Sequence, residues 1–523
     1  MISDVLSIIG AFWLPLSIGL LFLYVFYLKR RARYFQDRGI PGPEVPSLFL
    51  GHLKEKERDG KWFVRYKDWE EQYGKTFGIY EGGHRIIVTS DLDILDDVFN
   101  KQFNKFHSRK IGSHFAGDQT TFPGLNLFLS EGARWKRLRA LVAGVFATGK
   151  IRSTEGVTND TISAVVREIE KDLEKSEVVD LKPHFLNLSL DVIERVSLGR
   201  EKTLVGSGIK DEFAQHLLDL FTDKGVSSSW IRSFFAGIYE FRRVASFLFT
   251  IFATRNLPEL MALQKKLQVV FTLKKEQKDT SDTKDFVNHL MESRIDEANL
   301  QDCSKTVYDK KVQKNLTEEE IISCMVMFLI AGYDTTATTL MDLCYRLAQN
   351  PDVQEKLYDE ICTHVFSDED LTMSTVQNMQ YLDWCVKEGL RMDPHATEVV
   401  QRRCMETTTV GKDNKIEIEK GVCVATNAYS IHYNEELWKD PHEFRPERFS
   451  PEGSSTRHPL AWQPFGIGPR ICVGMRFALL ETKLAVTQVV KKFKFHLSTE
   501  TEFDCSGNII VSPNTMKLRL EKR

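Results

Sequence analysis

One ten-residue stretch holds most of the chemistry that can be read from this chain: Phe465-Gly466-Ile467-Gly468-Pro469-Arg470-Ile471-Cys472-Val473-Gly474. A dinucleotide-binding turn would need a third glycine and a preceding strand, and the stretch has neither. As a metal loop, every residue has a use. A thiolate ligand needs backbone N–H donors aimed at its sulfur to tune potential and basicity, and glycines let the chain fold around it. Cys472 is the candidate metal ligand. Arg470 supplies a cation for an acidic substituent, Phe465 can shield the sulfur from water, and Gly474 gives a flat macrocycle room to lie against the backbone.

Two other groups of residues invite a chemical reading. Ala331-Gly332-Tyr333-Asp334-Thr335-Thr336 lies in the middle of a long apolar helical pattern. Gly costs about 1 kcal/mol there, and Thr hydroxyls compete for backbone carbonyls. Such a segment either opens locally, leaving polar groups free for a ligand, or is a kink with a satisfied Thr. Glu388-Gly389-Leu390-Arg391 sets opposite charges one turn apart among Leu382, Trp384, Val386 and Leu390. A buried Arg391 would need several acceptors, and Pro446-Glu447-Arg448-Phe449 is a candidate partner.

The elements that must position these groups can be placed from their end signals. Thr317-Glu318-Glu319-Glu320 is a capping box that starts a helix running to Asn350, where Asn-Pro-Asp ends it and caps the next. Phe77–Tyr80 and Arg85–Thr89 flank Glu81-Gly82-Gly83-His84 as a β-hairpin, and Asp91 can cap the next helix. A strand-rich patch from Thr407 to Ala425 turns at Asp413-Asn414 and at Lys420-Gly421, while Glu297–Asn315 reads as a polar surface linker. The rest is mainly helical to about residue 400.

The N-terminus has its own pattern. Val5 to Leu28 is 24 residues without a charge, followed by Lys29, Arg30, Arg31 and Arg33. At ~1.5 Å per residue it spans roughly 36 Å, enough for a ~30 Å hydrocarbon core. Basic residues after the span keep the bulk of the chain cytosolic, and a cleaved signal would be shorter with its charges in front. Residues 1–33 are therefore expected to be a membrane anchor and 34–523 one catalytic domain. The balance of 70 basic against 73 acidic residues offers no bulk charge for nucleic-acid binding. Nine cysteines, irregularly spaced and without a CxxC pair, exclude a zinc ribbon and a dithiol motif; eight read as buried reduced thiols.

FxxGxRxCxG, matched at Phe465, Gly468, Arg470, Cys472 and Gly474, resembles the cytochrome P-450 signature. AGxDTT at Ala331–Thr336, ExxR at Glu388 and Arg391, PERF at 446–449 and WxxxR at Trp135 and Arg139 extend the resemblance over essentially the whole chain. Its detail is most similar to the microsomal drug- and steroid-oxidising group that includes thromboxane synthase and its nematode and insect relatives. The resemblance implies a mainly α fold with a small β-rich lobe and a haem b bound through Cys472. It implies propionate contacts from Trp135, Arg139, Arg402 and Arg470, with Arg109 as a weaker fifth, and a thin helix at Gly332 above the iron. Asp334 and Thr335 would deliver protons to bound dioxygen, and Glu388, Arg391 and Arg448 would form a structural triad.

The same resemblance implies an NADPH- and O2-dependent monooxygenase acting on a hydrophobic small molecule such as a steroid, fatty acid, retinoid or xenobiotic. No NADPH or flavin fingerprint is present, so a separate flavoprotein reductase is expected, with cytochrome b5 as a further donor. Lys136 and Arg137 are expected to face the reductase. The pocket is expected to draw on 111–128, 213–252, 325–329, 396–400 and 511–513, with Phe234, Phe235, Phe247, Phe249 and Phe252 forming a roof, a membrane contact or ordinary core. The expected location is the endoplasmic reticulum membrane, single-pass. Two other readings stay open, a haem-thiolate isomerase and a non-catalytic haem protein. Relatives usually carry an apolar residue where Asp393 stands.

Overall fold

A computed structural model of the chain describes residues 2–110, 125–209, 213, 216–217, 234–238, 248, 258–276, 285–293, 315–412, 415–507 and 510–523. Helix α1, Ile2–Ala32, ends on Lys29, Arg30 and Arg31. Leu16, Ile18, Leu20, Leu21, Phe22, Leu23 and Phe26 are exposed along it, whereas Leu28 is buried. Arg31 Nη2 donates to Leu48 O at 2.7 Å, and Tyr34 and Phe35 enter the core just beyond.

The β-rich lobe is built on the expected hairpin. Strands β1 (Thr76–Glu81) and β2 (His84–Thr89) pair antiparallel around Gly82-Gly83, and Gly82 takes φ +57°, a conformation that favours glycine at this turn. Asp91 caps the next helix through the N–H groups of Asp93 and Ile94. Strand β3 is Val178–Asp180. The 407–425 patch gives β5 (Thr408–Val410), β6 (Ile416–Ile418) and β7 (Cys423–Thr426), with its second turn at Lys420-Gly421. Its first turn, at 413–414, lies outside the described residues. A three-residue strand that the sequence did not mark, β4 (Gln401–Arg403), completes a sheet of order β1-β2-β7-β4. Strand β7 pairs parallel to β2, Ile86 opposite Cys423, and is buried at all four residues, as a central strand covered on both faces must be.

The helical core surrounds α6. Before it come α2 (Trp62–Tyr73), α3 (Gly132–Ala143), α4 (Glu155–Leu173) and α5 (Leu181–Leu198). Helix α6, Glu318–Gln349, starts on the capping box, with Thr317 N donating to Glu320 Oε2 and Glu320 N to Thr317 Oγ1, and ends at Asn350. At 32 residues it is roughly 48 Å long. By length and composition it could cross a membrane, but 67% of its apolar window is buried inside the protein, as in a core helix. Around it lie α7 (Pro351–His364), α8 (Gln380–Met392) and α9 (Met475–Lys492), then β8 (Phe493–His496), which pairs with β11 (Lys517–Lys522). Short strands β9 (Cys505–Ser506) and β10 (Ser512–Pro513) close the chain's end against α6.

The Glu388–Arg391 pair is wholly buried and fully partnered. Arg391 donates Nε to Glu388 Oε2 (2.7 Å), Nη2 to Oε1 (2.9 Å) and Nη1 to His432 O (2.7 Å). Arg448 Nε joins Glu388 Oε1 at 3.1 Å, so the expected PERF partner is in place. Removing one member of such a buried set strands the others and costs on the order of 3–5 kcal/mol.

Candidate functional site

The cysteine loop is shaped by two left-handed glycines, Gly466 at φ +75° and Gly468 at φ +73°. Any Cβ at Gly468 would collide with the carbonyl of Phe99, so only glycine lets the loop lie against that backbone. Cys472 N donates to Phe465 O at 2.9 Å, which closes the loop around the half-buried Phe465 ring. Gly474 begins α9 and, with Met475, gives its N–H to the Cys472 sulfur, as a thiolate loop requires. Of the eight described cysteines, all free, five are buried, two half-buried and only Cys472 exposed. Its sulfur is open on one side and crowded elsewhere. Burial pushes the thiol pKa up, while the two N–H groups and the charges of Arg139 and Arg109 draw it back.

Four arginines from four separate segments form one cluster, and two of them, Arg109 and Arg139, bear on this sulfur. Arg470 is buried, its guanidinium 4.6 Å above the Trp135 ring, and it donates Nη2 to Ser130 O. Arg109 reaches Arg470 O at 3.5 Å. Arg402, on β4, donates to Gln401 O (2.8 Å) and Ile467 O (3.2 Å). Arg139, one turn after Trp135 on α3, is half-buried. Burial lowers the pKa of all four, and the arginines depress one another: Arg109 bears on Arg402, and Arg109 and Arg402 on Arg470. Arg109 is brought to about 10.

None of the four has a carboxylate ion-pair partner among the described residues. Nε of Arg109 and Arg402, and Nε and Nη1 of Arg470, have no hydrogen-bond partner there either. The nearby acid Glu131 is taken by Arg403 at 2.6 Å. Buried cations gathered without counter-charges are costly, and the set makes physical sense only around an anion. A flat, dianionic group lying beside the cysteine fits these donors, and the two propionates of haem have that chemistry.

Asp334 and Thr335 are on α6 and share no hydrogen bond or ion pair with the cysteine loop among the described residues. They belong to a face of α6 that opens in mid-helix: Met327, Ile330, Asp334 and Thr335 are half-buried and Ala331 is exposed. Burial raises the Asp334 pKa. Thr335 Oγ1 donates to Ala331 O at 2.7 Å, so its hydroxyl is satisfied within the helix, and α6 is unbroken through this segment. The opening read from the sequence is therefore one of side-chain cover and leaves the helix's hydrogen bonds in place.

The structure gives Gly332 a packing role and corrects the expectations for Arg137 and for several pocket residues. Gly332 serves the crossing of α6 with α5: a Cβ there would stand 2.9 Å from Ile193 Cγ1, and Ser189 Oγ donates to Tyr333 O at 2.5 Å alongside. Arg137 does not face a partner protein. It is buried, bonded to Glu320 Oε1 and to Asn315 O (2.9 Å); its neighbour Lys136 is half-buried. Met325, Val326, Phe328 and Leu329 are buried in the helical core, and Val400 and Val511 in the β-rich lobe, so these residues pack more than they line. Phe235 is buried against the exposed Phe234, and Gly83 N donates to Ala236 O at 2.9 Å, which seats this short segment on the hairpin turn. Residues 111–124, Phe247, Phe249, Phe252 and 294–314 lie outside the described residues. The departure at Asp393 acquires a partner, Arg346, which grips it with two bonds of 2.8 and 2.6 Å.

The sequence can now be set beside known proteins. The description of the family Cytochrome P-450 matches residues 41–519. "Putative cytochrome P-450 CYP13A4" of Caenorhabditis elegans is 31% identical over 97% of this chain and 98% of its own length. "Putative cytochrome P-450 cyp-13B1" of the same organism is 30% identical over 95% and 97%. With a family match that takes in both the cysteine loop and the arginine cluster, the chain belongs to the cytochrome P-450 family and is a haem-thiolate monooxygenase.

Proposed function

We propose that this chain is a membrane-anchored monooxygenase of hydrophobic small molecules (steroid, fatty acid, retinoid or xenobiotic) that draws its electrons from NADPH through a separate flavoprotein reductase, with cytochrome b5 as a second donor. The observation that carries the reading is the cluster of Arg109, Arg139, Arg402 and Arg470 around an accessible Cys472. Cys472 would hold the iron, and the arginines with Trp135 the acidic edge of the haem. The bound haem supplies the activation of dioxygen. The chain's own residues do the rest.

Burial raises the pKa of Asp334, which places a carboxyl group suited to passing protons near the open face of α6. Thr335 spends its hydroxyl proton on Ala331 O, which leaves its lone pairs to accept from a proton-carrying water. The apolar side chains Met327 and Ile330 exclude bulk water from the same face. The exposed leucines and phenylalanines of α1 support a single-pass anchor over residues 1–33, and the basic residues at its end support a cytosolic catalytic domain on the endoplasmic reticulum.

Thr335→Ala tests the reaction class. Substrate binding should survive, NADPH should still be consumed, and a larger share of oxygen should leave as hydrogen peroxide. Losing a positioned proton donor costs roughly 10²–10⁴-fold in an acid-catalysed step. Equal product per NADPH in variant and wild type would overturn the role of Thr335. Product formed without NADPH or oxygen would make the protein an isomerase.

A further inference from the structure

Two acids and two bases from four distant segments meet in the β-rich lobe. They are Lys56, which ends the short helix Leu53–Lys56, Glu81 at the end of β1, Lys110, and Glu398 in the turn Thr397–Val399. Lys56 Nζ lies 2.6 Å from Glu81 Oε1 and 2.5 Å from Glu398 Oε1. Lys110 Nζ bonds Glu81 Oε2 and stands 3.6 Å from Glu398 Oε1. Each acid touches both lysines, so the four charges cancel. Their side chains are between 5% and 14% exposed, and the rings of Tyr66 and Trp62 cover Lys56 Nζ at 5.5 and 6.0 Å. Burial opposes every one of these charges, yet the lysines hold the Glu81 carboxyl below its ordinary range and the acids hold both lysines above theirs. Such a set is a weak source of net stability and a strong pin of register.

Its neighbours along the chain are two arginines of the anion cluster. Arg109 precedes Lys110, and Arg402 follows Glu398 by four residues. The two segments run antiparallel, Ser108 bridged to Arg403, with Arg403 N donating to Ser108 O at 2.8 Å. That register sets Arg109 directly opposite Arg402. Side chains alternate along extended chain, so Ser108, Lys110 and Arg403 share one side and Arg109 and Arg402 the other. Cys423 on β7 feels Arg403, Lys110 and Glu81 together, as one side requires. On that side the charges are neutralised, Lys110 by the two acids and Arg403 by Glu131 at 2.6 Å. On the other side, Arg109 and Arg402 rest on the rings of Phe128 and Phe99, which bring no counter-charge. Like charges directly opposite one another push two strands apart. The opposed arginines are bracketed by the Arg403–Glu131 bond at one end and the four-charge set at the other.

We propose that Glu81 and Glu398, acting through Lys110 and Lys56, are positioning residues for the haem-propionate site: they clamp the segment of Arg109 to the segment of Arg402 against the repulsion of the two arginines, so that both guanidinium groups stand ready for the anion. This inference rests on the assignment of the arginine cluster to the propionates. The effects open to an acid at this place have opposite signs. By charge alone, removing an acid beside an anion site tightens the hold on the anion; if the acid positions the cations, removing it loosens that hold.

The test uses the full-length haem protein with Glu81→Gln and Glu398→Gln, and Asp285→Asn as a control. Asp285 is a similarly buried acid, paired with Lys274 at 2.5 Å elsewhere in the chain. Haem release to an excess of a haem-scavenging apoprotein should be about tenfold faster in both Gln variants, the scale on which groups that orient a ligand's donors act. The propionate bending bands of the resonance Raman spectrum should shift, while the reduced carbonyl band stays, because Cys472 is untouched. Asp285→Asn should lower the denaturation midpoint and leave haem release and the propionate bands alone. Unchanged or slower haem release in Glu398→Gln overturns the clamp. Where Glu81→Gln fails to fold, Glu398→Gln decides, and failing both, Glu398→Asp, which keeps the charge and shortens its reach. Arg402→Gln separates the two readings. If it speeds release and shifts the bands while neither acid variant does, only this inference falls; if it changes neither, the propionate assignment falls as well.

Discussion

Replacing Cys472 by His separates two things that the loop does. The arginine cluster should still hold a haem, but the variant should lack the far-red-shifted Soret band of the reduced carbonyl complex, because only a thiolate donates enough charge to produce it. An unchanged band would remove Cys472 as ligand. A second single-residue prediction concerns acid stability. His395 is buried and neutral, with a pKa of about 4 against an ordinary 6.5. Between those values the unfolded chain binds a proton that the folded one refuses, so stability is lost as pH falls from 6.5 to 4. The shift corresponds to about 3 kcal/mol. His395→Asn should remove that part of the acid sensitivity, seen as a shallower fall of the denaturation midpoint with acid; parallel curves would show that His395 is not buried neutral. At this scale the sequence was most legible where a motif has fixed spacing. Cys472, Arg470, Trp135 and Arg139 could be named from the order of residues alone. Glu398 and His395 could not, because an isolated Glu or His carries no sign of its burial.

Elements were legible wherever their ends are chemically marked. The capping box at Thr317, the cap at Asp91 and the Gly82-Gly83 turn all stand where the sequence set them. What the sequence could not supply is which side of an element meets which neighbour. Arg137 is expected from its place on α3 to face a reductase, yet it is buried against Glu320, and Gly332, expected in the site, also packs against α5. Gly332→Ala puts numbers on the second case. Ala gains ~1 kcal/mol of helix propensity. Overpacking against Ile193, whose Cβ would lie 3.2 Å away and cannot rotate aside, costs roughly 1–3 kcal/mol. The variant should therefore be destabilised by about 1 kcal/mol on balance. A double-mutant cycle with Ile193→Ala should show coupling of at least ~1 kcal/mol in chemical denaturation. Strict additivity would show that Ile193 does not constrain Gly332.

For the molecule as a whole, the anchor proposed for α1 would not be a loose tether. Leu28 is buried, Arg31 is bonded to Leu48 O, and Tyr34 and Phe35 are part of the lobe's core, so on the proposed anchored reading the rest of the chain would take its tilt from the end of α1. Deleting residues 1–28 should release most of the protein from carbonate-washed membranes while leaving Arg31, Tyr34 and Phe35 in place. Full retention would mean a second integral attachment.

The parallel pairing of β2 with β7 has a consequence in time. Ile86 waits for Cys423, and Arg109 and Arg139 wait for Arg402 and Arg470. At roughly 5–20 residues per second on the ribosome, the first hairpin stands with an open edge for about 20–70 s before its partner strand is made. An unpaired edge of that kind is a ready template for aggregation. Cys472 emerges later still, so cofactor capture comes last, after nearly the whole chain has been synthesised. A nascent chain cut short before that loop would hold Arg109, Arg139 and Arg402 but neither Arg470 nor the cysteine, and quality-control factors would meet it as a half-built protein.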